Sequence, residues 1–180
     1  MSELEGKSLP HEVITIDESL CLRQLQPEEA HQIFALVDRN RDYLAKWLPW
    51  AEHTRSSADS EEFIHQMLSK RADGSEYGYG IVLNGKPVGH MSLMHLTDGG
   101  QPEIGYWVAS EMAGQGIATK AAGALTAFGF EVLGLQRIII KAQPDNLASN
   151  KVAQKLGYTL DETVFDEEAN QTTNIWAKIK

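Results

Sequence analysis

The segment EMAGQGIATKA, residues 111–121, contains a glycine-spaced loop that runs directly into a helix-like stretch. Gly114 and Gly116 flank Gln115, and residues 118–132 have the spacing of a helix. The first N–H groups of a helix have no partner within it, and the helix dipole is positive at this end. Glycines before such a helix let a ligand approach the backbone. The pattern therefore indicates either a phosphate-binding loop or a simple turn from a strand into a helix.

The segments around this loop predict an α+β fold. Helical patterns fill residues 27–73, and the Asn84-Gly85 pair that follows is a strong hairpin signal. Together with the strand EIGYWV it predicts a meander of three antiparallel strands. After the loop and its helix, residues 135–142 form a β-branched run that is typical of a central strand. A short helix ending at Gly157 and a last strand at residues 174–179 complete the pattern.

Composition limits the classes of function. The chain has 180 residues without repeats or linkers, so we expect a flexible tail at residues 1–12 and one domain at residues 13–180. A net charge of −9 argues against nucleic acid as the main partner, because phosphate backbones attract clustered Lys and Arg. No apolar run approaches the roughly 20 residues of a membrane span, and no signal-peptide pattern is seen. Cys21 is the one cysteine, which suits the cytoplasm.

Known phosphate-binding motifs and metal motifs fit the sequence poorly. A P-loop is excluded because no Gly-Lys-Ser/Thr follows the glycines. A dinucleotide-binding loop would need a third glycine where Thr119 stands and an acidic residue near Gln136. The six histidines show no metal-ligand spacing, so no metal site is expected.

Three segments together resemble the GNAT family of N-acetyltransferases, and within it the ribosomal-protein N-terminal acetyltransferases of the RimL/RimJ type. They are RDYLAKWLPW near the start, EIGYWVASEMAGQGIATKA, and RIIIKAQPDNLASNKVAQKLGY. The resemblance covers nearly the whole chain. It implies a mixed, mostly antiparallel twisted sheet that is splayed at its centre and flanked by helices.

The resemblance also implies acetyl-CoA as the acyl donor. Its pyrophosphate would lie on the glycine loop, and its pantetheine arm would pair with the IGYWV strand like an added strand. In the family pattern Gln/Arg-x-x-Gly-x-Gly/Ala, Gly116 and Ala118 match, while Ala113 stands at the first position. The cofactor-binding residues implied are Trp107, Val108, Ala109, Ala113, Gly114, Gln115, Gly116, Ile117, Ala118, Thr119, Asn146 and Ser149. A backbone N–H between Trp107 and Ala109 would polarise the thioester carbonyl.

Two catalytic roles follow from the same resemblance. Ser149 stands where a hydroxyl faces the cofactor sulfur, which makes it the general acid. Glu168, in the acidic segment 161–172, stands where a carboxylate receives the amine proton, and we expect this segment to be a loop. Asn146 and Ser149 also suit the cap of the following helix. The position of Cys21 outside the matching segments favours direct transfer without an acyl-enzyme.

The acceptor is the least determined part of the function. The resemblance implies a peptide or protein N-terminus, and hence N-terminal acetylation of a ribosomal protein. A small amine, such as an antibiotic or a polyamine, is the alternative acceptor, and a non-catalytic acyl-CoA-binding regulator is the alternative of another class. The aromatic residues expected either at the acceptor wall or in the core are Tyr43, Trp47, Trp50 and Phe63. A homodimer is also implied by the resemblance.

Overall fold

The computed structural model describes residues 11–180, which form an eight-stranded sheet with helices on both faces. The strands are β1 Val13–Thr15, β2 Leu20–Arg23, β3 Tyr77–Leu83, β4 Lys86–Met94, β5 Glu103–Val108, β6 Arg137–Ala142, β7 Thr159–Asp166 and β8 Gln171–Ile179. The helices are α1 Ala30–Arg39, α2 Arg41–Ala45, α3 Ser57–Asp73, α4 Ile117–Glu131 and α5 Leu147–Lys155. The α+β prediction is confirmed. The expected tail, residues 1–12, lies outside the described residues apart from its last two.

The strand order is β1-β2-β3-β4-β5-β6-β8-β7, and every neighbouring pair is antiparallel except β5 and β6. The predicted meander is confirmed as β3, β4 and β5. Its hairpin turn uses Asn84 at φ 50° and Gly85 at φ 80°. Two positive φ angles in succession match the twist of the flanking strands, which explains why the Asn-Gly pair was a reliable signal.

The sheet opens between β5 and β6. Their parallel pairing is limited to Glu103 with Ile139, next to a hydrogen bond of 2.9 Å from the Ile139 N–H to the Pro102 carbonyl. On its other side β5 is paired with β4 along its whole length. The strands therefore diverge toward the carboxyl end of β5, and the expected central splay is confirmed.

The side chains of β5 point alternately to the two faces of the sheet and pack in a hydrophobic cluster on each face. Ile104 packs in the main cluster with Leu125 of α4 and Val152 of α5. Trp107 points to the opposite face, where it packs with Leu36 of α1 and with α2. Because successive strand residues point to opposite faces, β5 contributes to both layers of the protein. The diverging strand is thus held from both sides.

The prediction of a loop at residues 161–172 was wrong except for the turn at residues 167–170, because Gln171 and Thr172 already belong to β8. Residues Thr159–Asp166 form the edge strand β7, which pairs only with β8, and all eight are exposed. With no buried face, the strand shows no alternation of apolar and polar residues, and the sequence therefore reads as an acidic loop. Among residues 11–180, no helix is long and apolar enough to cross a membrane.

Candidate active site

The glycine loop presents free backbone N–H groups at the start of α4. Gly114 and Gly116 have φ angles of 77° and 76°, and Gly116 is the residue that precedes the helix, which has no side-chain cap. The N–H groups of residues 114–119 donate no hydrogen bond within the described chain. An added Cβ at either glycine would meet nothing within 4 Å, so the positive φ explains the glycines. The loop and the helix dipole together fit a pyrophosphate.

A buried amide holds this loop against the first helices. Asn40, which is 2% exposed, accepts hydrogen bonds from the Ser110 N–H at 2.9 Å and the Ser110 hydroxyl at 2.8 Å. Its own Nδ2 donates to the Leu36 carbonyl at 2.9 Å. Because each polar atom of the amide is used, Asn40 fixes the end of α1 to the start of the loop. No sequence pattern indicates this contact, which joins residues 70 positions apart.

The backbone of β5 offers a donor in the gap between β5 and β6. The Ala109 N–H donates to the Val88 carbonyl at 2.8 Å and therefore faces β4. Successive N–H groups of a strand point in opposite directions, so the Val108 N–H faces the gap. Of the backbone N–H groups of residues 107–109, the Val108 N–H is therefore the one that is free to contact a ligand in the gap. Close approach of β4 requires Gly89, where a Cβ would lie 2.2 Å from the Trp107 carbonyl oxygen.

Strand β5 and helix α5 bring a tyrosine and a serine together beside the gap. The Tyr106 hydroxyl donates to Ser149 Oγ at 3.2 Å across 43 residues of sequence. Burial raises the pKa of the Tyr106 phenol, while the hydrogen bond to Ser149 opposes this shift. Tyr106 therefore stays protonated at neutral pH, and the Ser149 proton is free to point elsewhere. Sequence reasoning found Ser149 but assigned no role to Tyr106.

Asn146 begins α5 and positions Ser149. Its Oδ1 accepts the Ser149 N–H at 3.3 Å, which is the capping interaction that the sequence left as an alternative. The Asn146 Nδ2 has no partner in the described part of the chain, so it can still contact a ligand. Behind them, Asn150 Oδ1 accepts from Trp176 Nε1 at 2.8 Å and from Asn174 Nδ2 at 3.0 Å, which ties the helix to β8.

One cavity of about 990 Å³ joins these groups. The expected cofactor-binding residues that line it are Trp107, Val108, Ala113, Gly114, Gly116, Ile117, Ala118, Thr119, Asn146 and Ser149. Two expected residues do not line it. Ala109 is fully buried with its N–H used by Val88, and the Gln115 side chain turns outward to the Glu111 carbonyl at 3.2 Å. The structure therefore brings together most of the expected site but not these two side chains.

The cavity continues to the face of the sheet covered by α1, α2 and α3. All four aromatic residues expected at the acceptor wall or in the core line it, and the Trp50 and Trp107 ring centroids are 6.0 Å apart. Glu103 also lines the cavity, at the start of β5, with 14% of its side chain exposed, 3.4 Å from Lys141 Nζ and 3.9 Å from His95 Nε2.

Glu168 lies outside this cavity. It is exposed in the turn between β7 and β8, where its N–H donates to Asp166 Oδ1 at 2.9 Å. The structure thus does not bring Glu168 and Ser149 together, and its role as base stays a prediction. Within residues 11–180, no group of three or more His, Cys, Asp or Glu side chains is arranged to hold a metal ion.

Known proteins that are similar to this chain are acetyltransferases. Residues 19–159 match the family model described as acetyltransferase (GNAT) domain. YdaF of Bacillus subtilis (strain 168), a candidate ribosomal N-acetyltransferase, is 35% identical over 146 residues, 79% of each chain. The ribosomal-protein-serine acetyltransferase of Escherichia coli (strain K12) is 27% identical over 93% of this chain and 97% of its own. The structure of RimL, a ribosomal L7/L12 α-N-protein acetyltransferase with coenzyme A, aligns with a TM-score of 0.88 at 25% identity, covering 93% of this chain and 98% of RimL.

A buried histidine in the cavity generates a prediction about pH. Burial lowers the pKa of His90 from its ordinary value of 6.5 to about 3. Between these values the unfolded chain binds a proton that the folded chain does not, so the free energy of unfolding falls as the pH falls. His90 should contribute about 1.4 kcal/mol per pH unit to this slope.

We therefore expect His90→Gln to flatten the pH dependence of stability between pH 6.5 and pH 4, measured by urea denaturation. His65→Gln is the matched control, because His65 is exposed on α3. Equal slopes in both variants would show that folding does not lower the pKa of His90.

Proposed function

The chain belongs to the GNAT acetyltransferase family, and we propose that its cavity transfers an acetyl group to the N-terminal α-amino group of a ribosomal protein. The protein is an acetyl-CoA-dependent N-acetyltransferase. The observation that carries the proposal is the single cavity that joins the glycine loop, the diverging strand and the Tyr106–Ser149 pair. The names of the relatives YdaF, the E. coli enzyme and RimL support a ribosomal protein as the acceptor.

The residues present fit acetyl-CoA. The free N–H groups of residues 114–119 suit the pyrophosphate, and the gap beside Val108 suits the pantetheine arm. Bound acetyl-CoA supplies an activated thioester carbonyl. The Val108 N–H, which faces the gap, would stabilise negative charge on that carbonyl oxygen, a contribution of about 3 kcal/mol for a well-placed donor.

We assign the role of general acid to Ser149. Its oxygen accepts from Tyr106, so its own proton is available to the sulfur that leaves in the transfer. Tyr106 stays protonated because burial raises its pKa, so its hydroxyl keeps donating to Ser149 Oγ, and the proton lost by the amine restores the Ser149 hydroxyl through solvent. The attack is direct, since no nucleophilic side chain is needed in this arrangement.

We assign the role of general base to Glu103. It lines the cavity on the same face as Trp107, whereas Glu168 is exposed in a turn beyond it. Five residues of extended strand, roughly 16 Å, separate Glu103 from Val108, so the proton would travel through several water molecules. Glu168, implied by the family resemblance, is the alternative base.

Substitution of Ser149 tests the function. In Ser149→Ala the leaving sulfur loses its proton donor, so kcat should fall by roughly 100-fold or more while the KM for acetyl-CoA changes little. The measurement is thiol release from acetyl-CoA with a peptide that has the N-terminus of a ribosomal protein.

The control for this variant is Ser69→Ala, since Ser69 is exposed on α3. Acetyl-CoA should also raise the unfolding temperature of both variants. Thiol release with polyamines or aminoglycosides but with no peptide would replace the protein acceptor by a small amine. Binding without any turnover would favour an acyl-CoA-binding regulator.

A matched pair of substitutions identifies the base. Glu103→Gln should lower kcat by roughly 100-fold at neutral pH, because a carboxamide cannot accept the amine proton. Glu168→Gln should keep nearly the activity of the unmodified protein. Rates measured with saturating peptide separate the two, and the reverse result would assign the base to Glu168.

We further propose that the enzyme works in the cytoplasm as a homodimer. The proposal rests on the family resemblance and on a ribosomal acceptor. Light scattering should give twice the monomer mass of 20.0 kDa across micromolar concentrations. A monomer throughout that range would contradict the dimer.

A further inference from the structure

The glycine loop, together with the turn at residues 110–113, lies largely in solvent. Residues 113–116 are exposed, and Met112 packs partly buried against the cluster formed by α1 and α2. Gly114 and Gly116 allow the backbone more conformations than other residues would. A loop of this kind loses conformational freedom when it closes around a ligand, and this loss weakens binding. A contact that fixes the loop in advance therefore strengthens the binding of a pyrophosphate.

The buried amide of Asn40 anchors the start of this loop. Ser110 donates to Asn40 Oδ1 from its N–H at 2.9 Å and from its hydroxyl at 2.8 Å. The Ser110 carbonyl accepts the Ala113 N–H at 3.1 Å, which closes a tight turn just before the first glycine. A second link between the same segments, the ion pair of Arg39 and Glu111, is exposed and holds them only weakly. The position of the free N–H groups therefore depends chiefly on Asn40.

The same residue begins the helix that carries the aromatic wall of the cavity. The Asn40 carbonyl accepts the Leu44 N–H at 2.9 Å at the start of α2, and Asn40 Nδ2 donates to the Leu36 carbonyl at the end of α1. Tyr43 on α2 and Trp47 just after it line the cavity. One side chain thus joins the loop that suits the pyrophosphate to the helix that forms the aromatic wall.

We propose that Asn40 is a positioning residue for both substrates, the acyl donor and the acceptor. It does not line the cavity, so it acts through the loop and through α2 rather than by contact with a ligand. Without its side chain, the Ser110 donors and the Leu36 carbonyl lose a buried partner, and the loop is free to move away from α1. Both substrates then bind to a surface that must first be ordered. The acceptor half of this role rests on the proposed function, whereas the donor half does not.

Calorimetric titration with acetyl-CoA tests the donor half without any acceptor. In Asn40→Ala the dissociation constant should rise by roughly 10-fold or more, because the buried hydrogen bonds that hold the loop are lost. Asn40→Asp keeps an oxygen that accepts from Ser110, so its dissociation constant should stay within roughly 3-fold of that of the unmodified protein. Arg39→Ala is the matched control, since it removes only the exposed link between the same segments, and it should change the constant by less than roughly 2-fold.

A double substitution separates positioning from a general loss of stability. Ser110→Ala removes one of the two hydrogen bonds, so it should weaken acetyl-CoA binding by roughly 3-fold alone and no further when it is combined with Asn40→Ala. A purely structural role would lower the unfolding temperature of Asn40→Ala and leave binding by the folded protein unchanged, and this result overturns the proposal. If Asn40→Ala does not fold, Ser110→Ala carries the test, and unchanged binding in that variant overturns the proposal as well.

Steady-state rates with the N-terminal peptide at saturating acetyl-CoA test the acceptor half. Asn40→Ala should raise the KM for the peptide by roughly 5-fold, while kcat stays within roughly 3-fold because the Tyr106–Ser149 pair is not in contact with Asn40. An unchanged KM for the peptide overturns the acceptor half. If the unmodified enzyme does not use the peptide while the titrations give the expected constants, the peptide acceptor is overturned and the donor half of the role stands.

Discussion

The site depends on the divergence of β5 from β6 after one registered pair. Main-chain groups beyond Glu103 face a gap instead of a neighbouring strand, a state that is costly without a partner. The gap stays open because each strand is fixed on its other side, β5 by β4 and β6 by β8. A ligand that pairs with the free edge therefore binds to a surface that is already formed, and it loses little free energy to reorganisation.

Contacts between distant segments then place the reacting groups around this gap. Asn40 fixes the loop that precedes α4 to the end of α1, and Tyr106 reaches Ser149 on α5. Each contact uses a side chain that is largely removed from water, where hydrogen bonds hold geometry firmly. The loop, the strand and the helix thus act as one rigid unit, as a transfer reaction requires.

The sequence predicts local features of this structure well because their causes are local. The Asn84-Gly85 turn and the glycine loop follow from backbone conformation, and family resemblance supplied acetyl-CoA and Ser149. The roles of Tyr106 and Asn40 could not be predicted, because both depend on contacts across 43 and 70 residues. Strand β7 was missed since none of its residues is buried.

The exposure of β7 has a consequence for the behaviour of the protein in solution. Its outer edge has no strand partner in the described chain, and Leu160 and Phe165 are exposed on it. Such an edge can template the addition of another chain. Glu162 and Asp166 lie on the same strand, and their like charges oppose stacking of two copies. The acidic residues that give β7 the sequence pattern of a loop therefore also protect the protein from aggregation.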